Sequence, residues 1–199
     1  ILIEAWASKF GSALPPAIQM GIRLDAKDRF CAFLRQNNPN PGLEECAFLI
    51  STWGRPDLPL NRAKLKLDAY AGHVSDAMPK RKVTEDPLAA ARALCKYLFQ
   101  EIGFQGNEDD YYDPDNSFLS AVLESRKGIP ISLSVLTLLV AKRIHLHLLP
   151  IGSPGRFLIA VPHDNAITYI DCHGGGRFLK DPQARRMIGK IPAAIDPLP

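Results

Sequence analysis

From Ile131 to Ile144 nearly every residue is apolar or a small hydroxyl residue, and the only charges, Lys142 and Arg143, stand at the far end. A helix on a protein surface needs a polar face for the solvent, and this segment offers none, being apolar almost all the way round. The most apolar stretch, Ile129 to Val140, falls short of the ~20 residues that span a bilayer. The segment must therefore be a helix enclosed by other elements of the same chain. Pro130 is suited to open it, because a proline at the first helical position gives up an N–H that has no intrahelical partner there.

Beyond this helix the sequence takes on the period of strands. Leu148 to Ile151, Phe157 to Val161 and Ile167 to Ile170 are short apolar runs, with His163-Asp164-Asn165-Ala166 as a hairpin connection. Gly174-Gly175-Gly176 makes a further sharp turn before Arg177-Phe178-Leu179. The first hundred residues read as short helices broken at Pro15-Pro16, Pro39-Asn40-Pro41 and Pro56 to Pro59. Leu60, Ala63, Leu67, Tyr70 and Val74 recur at spacings of three and four, which puts one apolar stripe on one face. Asp86-Pro87 opens the next helix as N-cap and N1, its stripe runs through Leu88, Ala91, Leu94 or Cys95, Leu98 and Ile102, and Gly103 closes it. These stripes are core packing. The order predicts an α+β fold: an N-terminal helical region over 1–105, a core over 106–190 in which the buried helix packs on an antiparallel sheet, and a tail over 191–199.

The 199 residues, 46% of them apolar, suffice for one large domain or two small ones. With 24 Lys+Arg against 21 Asp+Glu the net charge is only +3, and the basic residues scatter apart from Lys80-Arg81-Lys82 and Arg185-Arg186. Duplex binding needs a concentrated basic stripe, so nucleic acid is not the expected partner, nor is a membrane. Cys31, Cys46, Cys95 and Cys172 lie far apart without a CxxC spacing, which argues against a zinc ribbon or a disulfide scaffold. No charged and apolar leader pattern comes after Ile1, and cytoplasmic residence is the expectation. The loop from Gly103 to Asp115 carries Glu108, Asp109, Asp110, Asp113 and Asp115, but not at the spacing of a calcium-binding EF-hand loop; it reads as a solvated acidic loop. No metal or cofactor is expected.

The segment from Tyr111-Tyr112-Asp113-Pro114-Asp115-Asn116-Ser117-Phe118-Leu119 to Arg126-Lys127-Gly128-Ile129-Pro130-Ile131-Ser132-Leu133-Ser134-Val135-Leu136 resembles the signature of the bacterial SirB family. Gly152-Ser153-Pro154-Gly155-Arg156-Phe157-Leu158 and Asp171-Cys172-His173-Gly174-Gly175-Gly176-Arg177 agree with it in order and spacing, and Ala89 to Asn107 resembles its upstream segment. The resemblance implies a transglutaminase and papain-like core, in which a cysteine at the N-terminus of a buried helix meets a histidine and an aspartate on neighbouring strands. That chemistry has a reason: a helix N-terminus lowers a thiol's pKa, the histidine takes its proton, and the aspartate orients the imidazole.

Along that pattern Pro130 falls at the nucleophile, Arg156 at the histidine and Asp171 at the aspartate. Proline carries no nucleophile, and arginine stays protonated and cannot serve as a base. The family in general shows the same proline but commonly keeps the histidine, so this chain departs further from a catalytic arrangement. Ser132 lies two positions into the helix, with a hydroxyl expected to bond the neighbouring helical turn. Cys172 and His173 are adjacent, and neighbours on an extended chain point to opposite faces, which separates thiol from imidazole. His145 and His147 read as helix-end or surface residues.

The leading expectation is therefore a noncatalytic interaction or regulatory protein that works through a protein partner. The alternative is a hydrolase or acyltransferase with a nucleophile relocated among Ser132, Asp171, Cys172 and His173. A nucleic-acid regulator would require the two basic clusters to converge. A shallow concavity is expected near Pro130, Ser132, Arg156 and Asp171, with Arg156 forked onto Asp171 as a buried ion pair. The family resemblance further implies that a similar domain occurs in a eukaryotic F-box protein, and that many relatives carry tetratricopeptide repeats beyond the domain.

Overall fold

The computed structural model describes residues 14–35, 42–78, 80–153, 156–164 and 166–188. The Pro39 to Pro41 break, Pro154, Gly155, Asn165, the side chains of Lys80 and Arg81 and the tail over 191–199 lie outside the described residues. The helical part comprises α1 (Pro16–Arg35), α2 (Leu43–Gly54), α3 (Leu60–Ala77), α4 (Lys80–Glu85) and α5 (Pro87–Cys95), which continues as a π-helical turn over Lys96–Glu101. A two-residue strand β1 (Gln105–Gly106), a 3₁₀ turn (Pro114–Ser117), α6 (Leu119–Ser125) and β2 (Lys127–Gly128) lead to α7 (Pro130–Arg143). Strands β3 (Leu149–Ser153), β4 (Arg156–His163), β5 (Ala166–Asp171) and β6 (Arg177–Leu179) form an antiparallel sheet in sequence order, and α8 (Asp181–Ile188) comes last.

The fold is α+β, as the element order predicts. Two differences have clear causes. The N-terminal helices are not all short, since α1 has 20 residues and α3 has 18; Pro16 stands at the first helical position, where proline starts a helix rather than breaking it. The stripe from Leu88 to Ile102 is not one regular helix. Its second half widens to a π-turn, with the Ile102 N–H reaching the Tyr97 carbonyl at 2.8 Å, and Gly103 ends it at φ +86°.

α7 occupies the centre. Leu133, Leu136, Leu139 and Val140 are buried in one cluster with Leu67 and Val74 of α3, Ala90, Ala91 and Leu94 of α5, and Ile159, Val161 and Ile170 of the sheet. This cluster runs from Phe48 to Cys172 and draws on residues from both sides of position 105. Arg143, at the C-terminal end of α7, clamps three helices by binding Glu44 of α2 at 2.8 and 2.9 Å and Asp68 of α3 at 2.6 Å. The other face of the sheet is also covered: Leu158, Ala160, Tyr169 and Leu179 pack with Ala184 of α8. Among the described residues no helix is long and apolar enough to cross a membrane.

Candidate functional site

The start of α7 is built around one hydroxyl. Ile129, the N-cap, donates its N–H to Ser132 Oγ at 3.1 Å, the backward half of a capping box. That hydroxyl donates to the Asn116 carbonyl at 2.6 Å, with the Ile129 carbonyl a weaker alternative at 3.2 Å. Asn116 accepts from Asn107 Nδ2 at 3.0 Å and donates to the carbonyls of Asp110 and Tyr111 at 2.7 and 3.2 Å. Asn107 donates its own N–H to the Gly128 carbonyl at 3.0 Å, and its side-chain oxygen accepts from the Asp110 N–H at 3.3 Å. Asn107, Asn116 and Ser132 are all buried. A buried polar network whose members are satisfied holds its parts rigidly, so the loop carrying Asp109 to Asp113 is locked to the start of α7.

This arrangement decides what Ser132 can do. Its proton is committed to a carbonyl, it is 5% exposed, and no histidine among the described residues bonds to it. A serine hydroxyl becomes a useful nucleophile only with a base in contact. Pro130 stands at the start of α7 and carries no nucleophile.

The expected dyad is not assembled. Asp171 accepts from the Gly174 N–H at 2.9 Å and from Arg177 at 3.0 Å, not from Arg156. The cause is strand register. Asp171 lies directly opposite Arg177 across the Gly174 to Gly176 turn, whereas Arg156 lies opposite Ser153 at the far edge of β4. Side chains alternate along a strand and cross-strand partners share a face. Ile159 and Ile170, which pair, belong to the α7 side; Ala160 and Tyr169, which also pair, belong to the α8 side. Arg156 and Asp171 fall in step with the latter, on the face turned away from α7. Arg156 is exposed.

Cys172 and His173 diverge, as extended neighbours should. Cys172 is fully buried on the α7 side with its sulfur 3.5 Å from Thr137 Oγ1, and burial pushes its thiol up to about 12. Such a thiol stays protonated and inert at neutral pH. The His173 ring packs edge-on to Tyr111, with 6.1 Å between centroids, and it fills the space beside Gly106. His145, at φ +60° just beyond α7, and His147 are both exposed.

A cleft of about 560 Å³ opens beside the network, lined by Asp109, Asp110, Asp113, Asp115 and Glu124 with Arg55, Lys127, Ser125 and apolar or amide neighbours. Pro130, Ser132, Arg156 and Asp171 do not line it. Arg55 binds Asp115 and holds Asp57 at 2.9 Å, and its hydrogen bond keeps the Asp57 carboxyl below the usual carboxylate range. Lys127 faces Asp109 at 3.6 Å. Among the described residues no group of three or more His, Cys, Asp and Glu is arranged to hold a metal ion. Sequence reasoning gave no role to Asn107 and Asn116, although the signature around Tyr111 to Leu119 includes Asn116; their pairing exists only once the chain folds. Arg177 could have been found by counting across the triple-glycine turn.

The family model described as the transglutaminase-like superfamily matches residues 61–196. A UPF0162 protein of Xylella fastidiosa (strain 9a5c) is 36% identical over 155 residues, covering 75% of this chain and 54% of that protein. A UPF0162 protein of Vibrio cholerae is 37% identical over 119 residues, or 60% of this chain and 43% of the relative. Human F-box only protein 21 is 34% identical over 112 residues, which is 52% of this chain and 18% of that protein. The chain thus spans about half the length of the first bacterial relatives it matches, at 54% and 50%. No solved structure matches. With the family model covering well over half of the sequence, including the buried helix and the whole sheet, the chain belongs to the transglutaminase-like superfamily.

Proposed function

We propose that this chain is a noncatalytic transglutaminase-like protein of the SirB type, acting as an interaction or regulatory module for a protein partner. The observation that carries this reading is the hydrogen bond from Ser132 to the Asn116 carbonyl. At the helix end where relatives with catalysis would hold a reactive group, this chain holds a structural lock beside Pro130. The buried, proton-retaining Cys172 and the outward Arg156 support the same reading. So does Tyr112, which is 91% exposed on the loop that the asparagine network makes rigid. A fixed, exposed aromatic contributes binding area at small entropic cost.

The test is an amine-transfer and hydrolysis assay with amine donors and glutamine-containing acceptors. The expected result is no product above a heat-denatured control. Turnover that Ser132→Ala abolishes without loss of folding would replace this reading with the relocated-nucleophile enzyme. A Tyr112→Ala variant should weaken capture of the partner from cell extract while leaving the thermal midpoint unchanged.

A further inference from the structure

We propose that the face carrying Tyr111 and Tyr112, with the cleft beside it, docks an arginine-bearing, net basic segment of the protein partner, a refinement that rests on the noncatalytic interaction reading above. Tyr112 is 91% exposed and Tyr111 is 41% exposed, and their rings meet edge to face with 5.4 Å between centroids. The pair is held at two points: the Tyr111 ring packs on His173, and the Tyr111 carbonyl accepts from the buried Asn116 side chain at 3.2 Å. Rings fixed in this way present a binding face that a partner does not have to order first.

The chemistry of the occupant follows from charge. Glu108, Asp109, Asp110 and Asp113 fall within six positions of a chain whose net charge is +3. The nearby cations are engaged elsewhere: Arg55 with Asp57 and Asp115, Lys66 with Glu124 at 2.9 Å, and Lys127 with Asp109 at 3.6 Å. Glu108, Asp110 and Asp113 are left without an ion pair among the described residues, and they bracket the two tyrosines in sequence. Asp110 and Asp113 line the cleft of about 560 Å³, and the tyrosines lie between them along the chain. A metal ion is the wrong occupant, because among the described residues no three His, Cys, Asp or Glu side chains converge to hold one. Nucleic acid, itself an anion, would be repelled. Arginine suits both halves of the surface: its guanidinium lies flat on an aromatic ring and forks onto a carboxylate, whereas lysine brings only a point charge. A cation arriving at carboxylates that have no ion pair breaks none, and complementary charge steers it to this face.

The experiment is fluorescence anisotropy on the full chain with a short labelled peptide of alternating arginine and serine. The same peptide with lysine in place of arginine and free spermidine as competitor serve as comparisons, and far-UV circular dichroism checks the folding of each variant. The expected result is saturable binding of the arginine peptide that weakens steeply as salt rises, with the lysine peptide at least about threefold weaker. Tyr112→Ala should weaken binding at least about threefold, as should Asp110→Asn combined with Asp113→Asn. Asp76→Asn, which changes an exposed carboxylate on α3, should leave it unchanged. An arginine peptide that does not bind overturns the proposal. So does binding that lysine or spermidine matches, or that Tyr112→Ala or the double variant leaves intact, because it would be unspecific ionic attraction. The two readings fail separately: a chain without turnover that ignores the peptide strikes this inference alone, whereas turnover that Ser132→Ala abolishes strikes the noncatalytic reading and this inference with it.

Discussion

Replacing Ser132 with alanine separates a structural from a chemical role for this residue. The substitution removes the acceptor of the Ile129 N–H and the donor to the Asn116 carbonyl. Loss of a helix-start cap costs about 1 kcal/mol. Leaving a buried carbonyl unpaired adds about 1–3 kcal/mol, so the total should be about 2–4 kcal/mol. Part of that is recovered if the loop shifts to admit water, which is why the lower half of the range is the better expectation. In urea, with a slope of about 2 kcal/mol/M, the midpoint should fall by about 1 M. The loop should loosen too: amide exchange at Asp110 and Asp113 should quicken, because the lock that positions Asn116 is gone. A Ser132→Ala protein as stable as its parent, with unchanged exchange in the loop, would refute the claim that this hydroxyl holds the site together.

The remaining predictions concern the strand ends and the buried thiol. Asp171→Ala should cost about 1.5–3 kcal/mol, almost all of it from the charge-assisted bond to the Gly174 N–H. Arg177→Ala should cost under about 1 kcal/mol because Arg177 is 60% exposed, and Arg156→Ala should be near neutral; an Arg156→Ala loss matching that of Asp171→Ala in denaturant melts would restore a pair between Arg156 and Asp171. Gly176→Ala should destabilise by at least about 1–2 kcal/mol from backbone strain alone, since Gly176 sits at φ +73° and an added Cβ would meet Phe99 Cδ2 at 2.5 Å; a thermal midpoint within error of the parent would contradict the close packing of this turn on the π-helical segment. The Cys172 thiol lies at about 12 in the folded protein against 9.0 ordinarily, so its stabilising effect is full below pH 9 and is lost as pH rises toward 12. That one proton contributes a slope of up to about 1.4 kcal/mol per pH unit, and burial pushes Cys95 the same way; Cys172→Ala should flatten the alkaline fall in urea midpoint, and an unchanged slope would show that the thiol is not shielded.

The sequence by itself determined the enclosed helix, because an all-round apolar segment with charges only at Lys142 and Arg143 has no stable place except inside. It determined the antiparallel sheet through short apolar runs joined by turn residues, and the transglutaminase-like superfamily through the motif pieces between Tyr111 and Arg177. These are signals of period and local order, which a chain carries before it folds. Tertiary structure alone decided which side chains meet. Asp171 had two arginines within reach of a sequence argument, and register across the Gly174 to Gly176 turn gave it to Arg177. Ser132 became a lock because folding brought the carbonyl of Asn116, sixteen positions earlier, to 2.6 Å from its hydroxyl. Asn107 and Asn116 fall within stretches that carry the resemblance, but nothing in the sequence says that the two side chains meet, and only their burial together makes them a network. Pairing of this kind depends on distances between segments far apart in the chain, and hydrophobic period holds no record of them.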